Sequence, residues 1–402
     1  MAQPRLVSSR PYRRAVLPSI DRVVAHSRPT NPLLCLSPAA MAAAARRFVD
    51  CFPGDVLYAV KCNPEPRVLR ALWAGGVRHF DCASLAEVTL VRKLLPAAEI
   101  HFMHPVKARP AIREAFRRCD VTDFSFDGAD ELAKIMQETV PIALVGDQPA
   151  LGLFVRLALP KSAAVYDLSG KFGVPPDEAV ELLQAARPHA ARLGIAFHVG
   201  SQCLDPGAYE RAIALAAEVI ADCRVPVDIV DVGGGFPVSY PDMTPPPLGA
   251  YITAIATAAE TLPSNVRLWA EPGRALVAGG GSVVVQVQQR RGDTLFVNDG
   301  IYGNLSDGGV LGFRFPARRL RLGEVADAQE PAADFDLFGP TCDSAGRMRG
   351  PFRLPCDMRE GDWIELGQLG AYGACLSTGF NGFGRVDLVE VADPPMLKTP
   401  GY

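Results

Sequence analysis

No two of the ten cysteines, at positions 35, 51, 62, 82, 119, 203, 223, 342, 356 and 375, form a C-x-x-C pair. Their scatter argues against a structural zinc site, and no metal is expected. Ten thiols are also too few to staple 402 residues into a disulfide scaffold. Most read as small buried thiols in a reducing compartment. No uninterrupted apolar run approaches the roughly 18–20 residues that cross a bilayer, so no membrane partner is expected. An excess of one charge is missing too: 41 Lys and Arg stand against 44 Asp and Glu, a net charge of −3, with a pI near 6.1. That balance excludes a nucleic-acid surface built on bulk positive charge. The basic start M-A-Q-P-R-L-V-S-S-R lacks the apolar core of a secretory signal. It reads as a frayed tail, and the expected location is the cytoplasm.

What remains is ordinary globular material, 49% hydrophobic and 21% charged, which excludes a largely disordered chain. A length of 402 residues exceeds the usual single core of about 100–200, so two domains are expected. Between residues 56 and 273, eight β-branched or aromatic runs alternate with amphipathic stretches. They are 56–60, 77–81, 100–104, 123–127, 151–157, 195–199, 227–232 and 266–271. Eight strands separated by helices are what an α/β (β/α)8 barrel requires.

The helices carry their own punctuation. Pro64 and Pro66 open one that Gly75-Gly76 closes, and Ser84-Leu85-Ala86-Glu87 reads as a capping box. The stretches from Glu178 to Leu193 and from Tyr209 to Asp222 are apolar on one side. Past residue 275 the helical period disappears. Runs 282–290 and 294–298 flank Arg291-Gly292-Asp293, a three-residue hairpin turn by its composition. The division expected is 1–30 packing on the second module, 31–275 as the barrel, and 276–402 as a β-rich domain.

Catalytic groups on such barrels sit at the carboxyl ends of the strands. Those positions hold Lys61, Asp81, His104, Asp127, Arg156, His198, Gly233-Gly234-Gly235 and Glu271. Three glycines at one strand exit let bare amides approach an anion, although alone they would mark only a tight turn. Their spacing is not the G-x-G-x-x-G of dinucleotide folds. A lone lysine at a strand end is usually solvated. An amine, an anion site and a carboxylate on one face together suit pyridoxal phosphate (PLP).

The chain also resembles the fold-type III, group IV PLP-dependent decarboxylases of ornithine, lysine, diaminopimelate and arginine. The resemblance runs from about residue 30 to 390. It is carried by Y-A-V-K-C-N (58–63), F-D-C-A-S (80–84), L-S-G-K-F-G (168–173) and F-H-V-G-S-Q (197–202). D-V-G-G-G-F-P (231–237), A-E-P-G-R (270–274), G-P-T-C-D-S (339–344) and G-A-Y…F-N-G-F (370–383) continue it in order.

The resemblance implies that Lys61 is the Schiff-base lysine, with Asp81 an acid beside it and His198 stacked on the cofactor ring. Ser201, Gly234, Gly235 and Arg274 correspond to phosphate contacts, with Gly233 and Gly273 adjoining them, and Tyr372 to a phosphate or ring neighbour. Glu271 corresponds to the carboxylate that keeps the pyridine nitrogen protonated, where related racemases carry arginine. Cys342 corresponds to a proton donor and Asp343 to a substrate contact, both reaching across a homodimer whose active sites are shared.

The expected substrate is a small basic L-amino acid, ornithine or lysine, giving a diamine for polyamine biosynthesis. Phe380 in F-N-G-F favours that branch over diaminopimelate, and Tyr302 would border the substrate. One departure stands out: the second acid usually found some nine residues beyond that tyrosine is Leu311 here. Asp307 either replaces it after a loop shift or is a turn residue. Arg314 nearby could face an anionic or unusual substrate instead, so diaminopimelate, arginine and specialised decarboxylases stay open. A non-catalytic homologue of the antizyme-inhibitor kind is disfavoured, because Lys61, Glu271, Arg274 and Cys342 are all retained.

Overall fold

The β-branched and aromatic runs are buried on both faces, as strands between a packed interior and a helical shell must be. The computed structural model describes residues 17–402, apart from 140–143, 146–147, 150, 162–163, 310 and 324–329. Parallel strands Asp55–Ala59, His79–Cys82, Glu99–Phe102, Asp123–Phe126, Leu151–Arg156, Ala190–Ala196, Ile229–Asp231 and Arg267–Ala270 form a closed barrel. The ring shuts where Trp269 and Ala270 register with Asp55 and Val56. The expected barrel is therefore present.

Capping residues place its helices. Pro66 starts the helix Pro66–Ala74, and Gly75 follows it as the capping residue. Ser84 Oγ accepts from Glu87 N at 3.3 Å while Glu87 Oε2 accepts from Ala83 N at 2.7 Å, a variant of the expected capping box in which the carboxylate reaches the residue before the N-cap. The stretch 178–193 is not one helix. The helix ends at Ala186, a turn of Arg187-Pro188-His189 follows, and the sixth barrel strand begins at Ala190, five residues earlier than its apolar run suggested. Pro188 supplies no N–H to continue a helix, and Ala190–Ala196 finds partners in both neighbouring strands.

The second module is a mixed sheet built on the long strand Gly281–Arg291. Its hairpin is tighter than expected. Arg291 pairs directly with Thr294, which leaves a two-residue turn of Gly292-Asp293, with Gly292 at φ 59°. Leu33–Leu36, on the barrel side of the division read from sequence, pairs with Gly281–Val284 and Asp387–Glu390 in this sheet. The helix Ile20–Ser27 packs Ile20 and Val24 against Leu33, Val284, Leu320 and Trp363.

Inside the barrel, Leu57, Met103, Phe154, Ala196, Ile229 and Trp269 form a separate buried cluster. A polar chain lies toward the amino ends of the strands. His79 Nδ1 is 3.1 Å from His101 Nε2, His101 Nδ1 is 2.7 Å from Asp123 Oδ2, and Arg192 donates to Asp123 Oδ1 at 2.6 Å. Phe154 stacks on Trp269 with ring centres 4.8 Å apart and fits there because Gly194 has no side chain: a Cβ on Gly194 would lie 2.4 Å from Phe154 Cδ1. Gly194→Ala is therefore expected to lower the unfolding free energy by about 1–3 kcal/mol in urea titrations. Phe154→Leu in the same chain should return part of that loss, and a purely additive double variant would contradict the steric account.

Candidate active site

The strand exits of the barrel converge on a cavity lined by Lys61, His198, Gly234, Glu271, Arg274 and Tyr372 among others. Lys61 stands in the short turn Val60–Cys62 just after the first strand, and its Nζ is 3.1 Å from Oδ2 of buried Asp81. Burial disfavours the ammonium, but the charges of Asp81 and Glu271 outweigh it and hold Lys61 above the ordinary lysine range. The opposite happens at His198. Burial first, then the cations Arg156 and Lys61, push its pKa well below the usual value. Its Nδ1 accepts from Gly200 N at 3.0 Å, so the ring is neutral and its orientation fixed.

Glu271 follows the eighth strand and is buried with Oε1 lacking any partner. Burial, then Asp231, then Asp81 raise its pKa well above a carboxylate's, while Lys61 opposes them. Asp231 ends the seventh strand. Its Oδ1 accepts from Gly233 N at 2.8 Å and its Oδ2 is buried without a partner. Gly233 O in turn accepts from Glu271 N at 2.8 Å, so one aspartate ties the glycine bend to the strand that carries Glu271. Burial lifts Asp231 to about 6; Gly233 N–H opposes the shift, Asp81 adds to it, and a hydrogen bond between the Asp231 and Glu271 carboxyls also opposes it.

The glycine bend is shaped for close approach. Gly233 and Gly235 sit at φ 70° and 103°, and a Cβ on Gly235 would fall 2.4 Å from Gly200 O. A Cβ on Gly234 would lie 3.0 Å from His198 Nε2. Among the described residues neither Gly234 nor Gly235 offers its N–H to an acceptor. Ser201 is held beside them by paired backbone bonds with Tyr166. Gly273 also lines the cavity, and a Cβ on it would be 2.9 Å from Cys62 Cβ.

Arg274 is buried, with its guanidinium carbon 4.9 Å from the ring centres of both Phe313 and Tyr372. Its Nη1 donates to Tyr240 Oη at 2.8 Å and to Asp307 Oδ2 at 2.6 Å, while Nε has no partner. Tyr372 belongs to the C-terminal segment that closes over the barrel mouth: its N–H donates to Cys62 O at 2.9 Å, and Asn63 Nδ2 donates to Gly370 O at 2.8 Å.

Ten of the residues singled out in the sequence thus come together: Lys61, Asp81, His198, Ser201, Gly234, Gly235, Glu271, Gly273, Arg274 and Tyr372. Gly233 supports them from the bend. Cys342 and Asp343 do not line the cavity. Cys342 is exposed, its N–H donating to Asn381 Oδ1 at 2.9 Å. Tyr302 donates its hydroxyl to Asp343, and its ring lies 5.0 Å from that of Phe380. That bond depresses the Asp343 carboxyl. Asp307 is placed apart from this exposed group, buried against Arg274. Sequence reading passed over Asp231, although its position two residues before the first of the glycines was a signal, and Tyr240, for which there was none.

Pyridoxal phosphate fits these groups. Orphaned Arg274 Nε and the free glycine amides suit its phosphate, and orphaned Glu271 Oε1 suits a ring nitrogen carrying a proton. Lys61 supplies the amine for its aldehyde. The comparisons agree. A family described as pyridoxal-dependent decarboxylase, pyridoxal binding domain, matches residues 39–278. A lysine/ornithine decarboxylase of Selenomonas ruminantium is 30% identical over 85% of the chain and 84% of its own length. Antizyme inhibitor 2 of Xenopus laevis is 30% identical over 84% of the chain and 76% of its own length. The crystal structure of an arginine decarboxylase of Paramecium bursaria Chlorella virus superimposes with a TM-score of 0.80, at 27% identity, covering 92% of this chain and 99% of that one.

The buried acids predict a pH dependence. With Asp231 at about 6 against an ordinary 3.8, the cofactor-free folded protein binds more protons than the unfolded chain between those values. The contribution of Asp231 to stability must then fall as pH rises through that window, the loss being complete above it. Asp231→Asn keeps an acceptor for Gly233 N–H and removes the charge. Its denaturant midpoint should decline less steeply than wild type from about pH 4 to 6, leaving the variant more stable at neutral pH by on the order of 2–3 kcal/mol. An equally steep decline in both proteins would contradict the assignment.

Proposed function

The chain belongs to the pyridoxal-dependent decarboxylases, and we propose that it removes the α-carboxylate of a basic L-amino acid, ornithine or lysine, to give the diamine. The observation that carries this reading is the orphaned, buried carboxylate of Glu271 in the same cavity as Lys61. Bound pyridoxal phosphate supplies a cationic heterocycle that withdraws the electron pair released when the carboxylate leaves. Lys61 would hold its aldehyde carbon, with Asp81 steadying the amine at 3.1 Å. Neutral His198 would offer a flat face to the ring, and Glu271 would accept from the ring nitrogen. Ser201, Gly234, Gly235 and Arg274 would hold the phosphate, with Tyr372 against the arginine.

Asp343 and Tyr302 would meet the substrate's distal ammonium, the carboxylate already being held ionised by its bond from Tyr302. Cys342 Sγ would return a proton to the α-carbon. Cys342 is exposed and Asp343 half-buried on one copy of the chain, which supports a homodimer in which a second copy completes each cavity. Exposed Leu376, Phe380 and Phe383 on the same segment would be covered there.

Ornithine and lysine differ by one methylene, worth only about 1–3 kcal/mol in a pocket. Carbon dioxide release measured across ornithine, lysine, arginine and meso-diaminopimelate should be fastest with one of the first two; preference for an anionic side chain would overturn the substrate reading. Lys61→Ala and Cys342→Ala should each be inactive. Dimers exchanged between the two variants should recover about a quarter of wild-type activity, because half the dimers are mixed and each has one intact site. Lack of recovery in demonstrably exchanged dimers would count against sharing.

A further inference from the structure

Arg274 presents a problem that the fold has to solve before any cofactor arrives. Its guanidinium is 5% exposed, and an isolated buried cation is severely unfavourable. Its expected anion, the phosphate, is supplied from outside. Yet the cation is not alone: Asp307, also 5% exposed, places Oδ2 at 2.6 Å from Nη1. The turn that carries it is pinned to the cavity wall, with Ser306 Oγ donating to Tyr372 O at 2.7 Å. Tyr240, whose phenol burial raises to about 12, stays neutral and shares Nη1 as an acceptor at 2.8 Å. Nη1 is therefore fully engaged by the protein, the two rings of Phe313 and Tyr372 flank the guanidinium, and Nε is left buried with no acceptor.

We propose that Asp307 is a resident counter-ion for Arg274, holding the phosphate-binding arginine folded and oriented while the cofactor is absent, rather than a ligand of the substrate's distal ammonium. This rests on the reading that Arg274 receives the phosphate. Asp307 is thus a positioning residue. Removing its charge strips the cofactor-free protein of its only carboxylate partner for Arg274 among the described ion pairs. In the loaded protein the phosphate still compensates the cation. The loss must therefore be larger without cofactor than with it, and by linkage the cofactor must stabilise the variant more than it stabilises wild type.

Thermal melting of stripped and PLP-loaded protein tests this. Asp307→Asn should lower the melting temperature of the stripped protein by on the order of 5 °C, and PLP should restore at least about half of the difference. Inorganic phosphate should restore part of it and pyridoxal, which has no phosphate, none. Asp307→Glu, which keeps the charge, should melt close to wild type in the stripped form. A variant recoverable only in the presence of PLP meets the expectation in its extreme form; one that misfolds with PLP present overturns it. Equal losses in stripped and loaded forms, or no loss at all, also overturn it. Should wild type itself gain no more from PLP or phosphate than from pyridoxal, it is the phosphate assignment of Arg274 that fails.

Discussion

Three buried carboxyl groups, Asp81, Asp231 and Glu271, crowd the exits of neighbouring barrel strands around a single lysine, and the rest of the site follows from that crowding. Like charges in a poorly solvated space cannot all ionise, so the set either holds protons or recruits cations. Lys61 answers Asp81 directly at 3.1 Å. Asp231 and Glu271 remain raised, each with one oxygen unpartnered. A heterocycle that carries a proton on its ring nitrogen would relieve this arrangement. His198 is neutral for a different reason: burial removes water from it, and the cations Arg156 and Lys61 lie close. A neutral imidazole stacks on a cationic ring without repulsion.

The barrel supplies this crowding cheaply in geometric terms. A parallel strand delivers its last residue to the same rim whatever its neighbours do, so acids, amine and glycines far apart in sequence converge without long loops. Positive φ at Gly233 and Gly235, and the space their missing side chains leave, bring bare amides to the rim. The second module contributes closure. Tyr372, at φ 53°, donates to Cys62 O in the turn that holds Lys61, so the sheet domain and the reactive amine are linked by one backbone bond. Displacing that segment would move the aromatic wall of Arg274 at the same time.

Much of this was legible in the residues. The eight strands announced themselves because both faces are buried and the runs are accordingly apolar, and strand exits could be read off as the positions just beyond them. Legibility failed where local pattern and tertiary pairing disagree. Residues 190–193 continue a helical apolar period, but Pro188 stops the helix and two neighbouring strands claim the segment. Asp231 escaped notice because an aspartate before glycines also suits an ordinary turn, and it does make the turn bond to Gly233. Only its second oxygen, buried beside Glu271, distinguishes it, and burial is invisible in one sequence.

Asp307 shows the deeper reason that spacing alone misleads at a substrate pocket. Counting residues from Tyr302 locates an acid near the right place along the chain, but not on a side of the loop. The loop turns at Ser306–Gly308 and buries the carboxylate against Arg274, whereas Tyr302 faces outward to Asp343 and Phe380. The turn aims this carboxylate at the buried guanidinium, 2.6 Å away, and away from the group formed by Tyr302 and Asp343. Recognition of a distal amine would then fall on Asp343 and its tyrosine. A single carboxylate constrains the position of an amine less tightly than two opposed ones. Chain length of the substrate would accordingly be discriminated by how the apolar stem packs against surfaces such as Phe380, and less by charge.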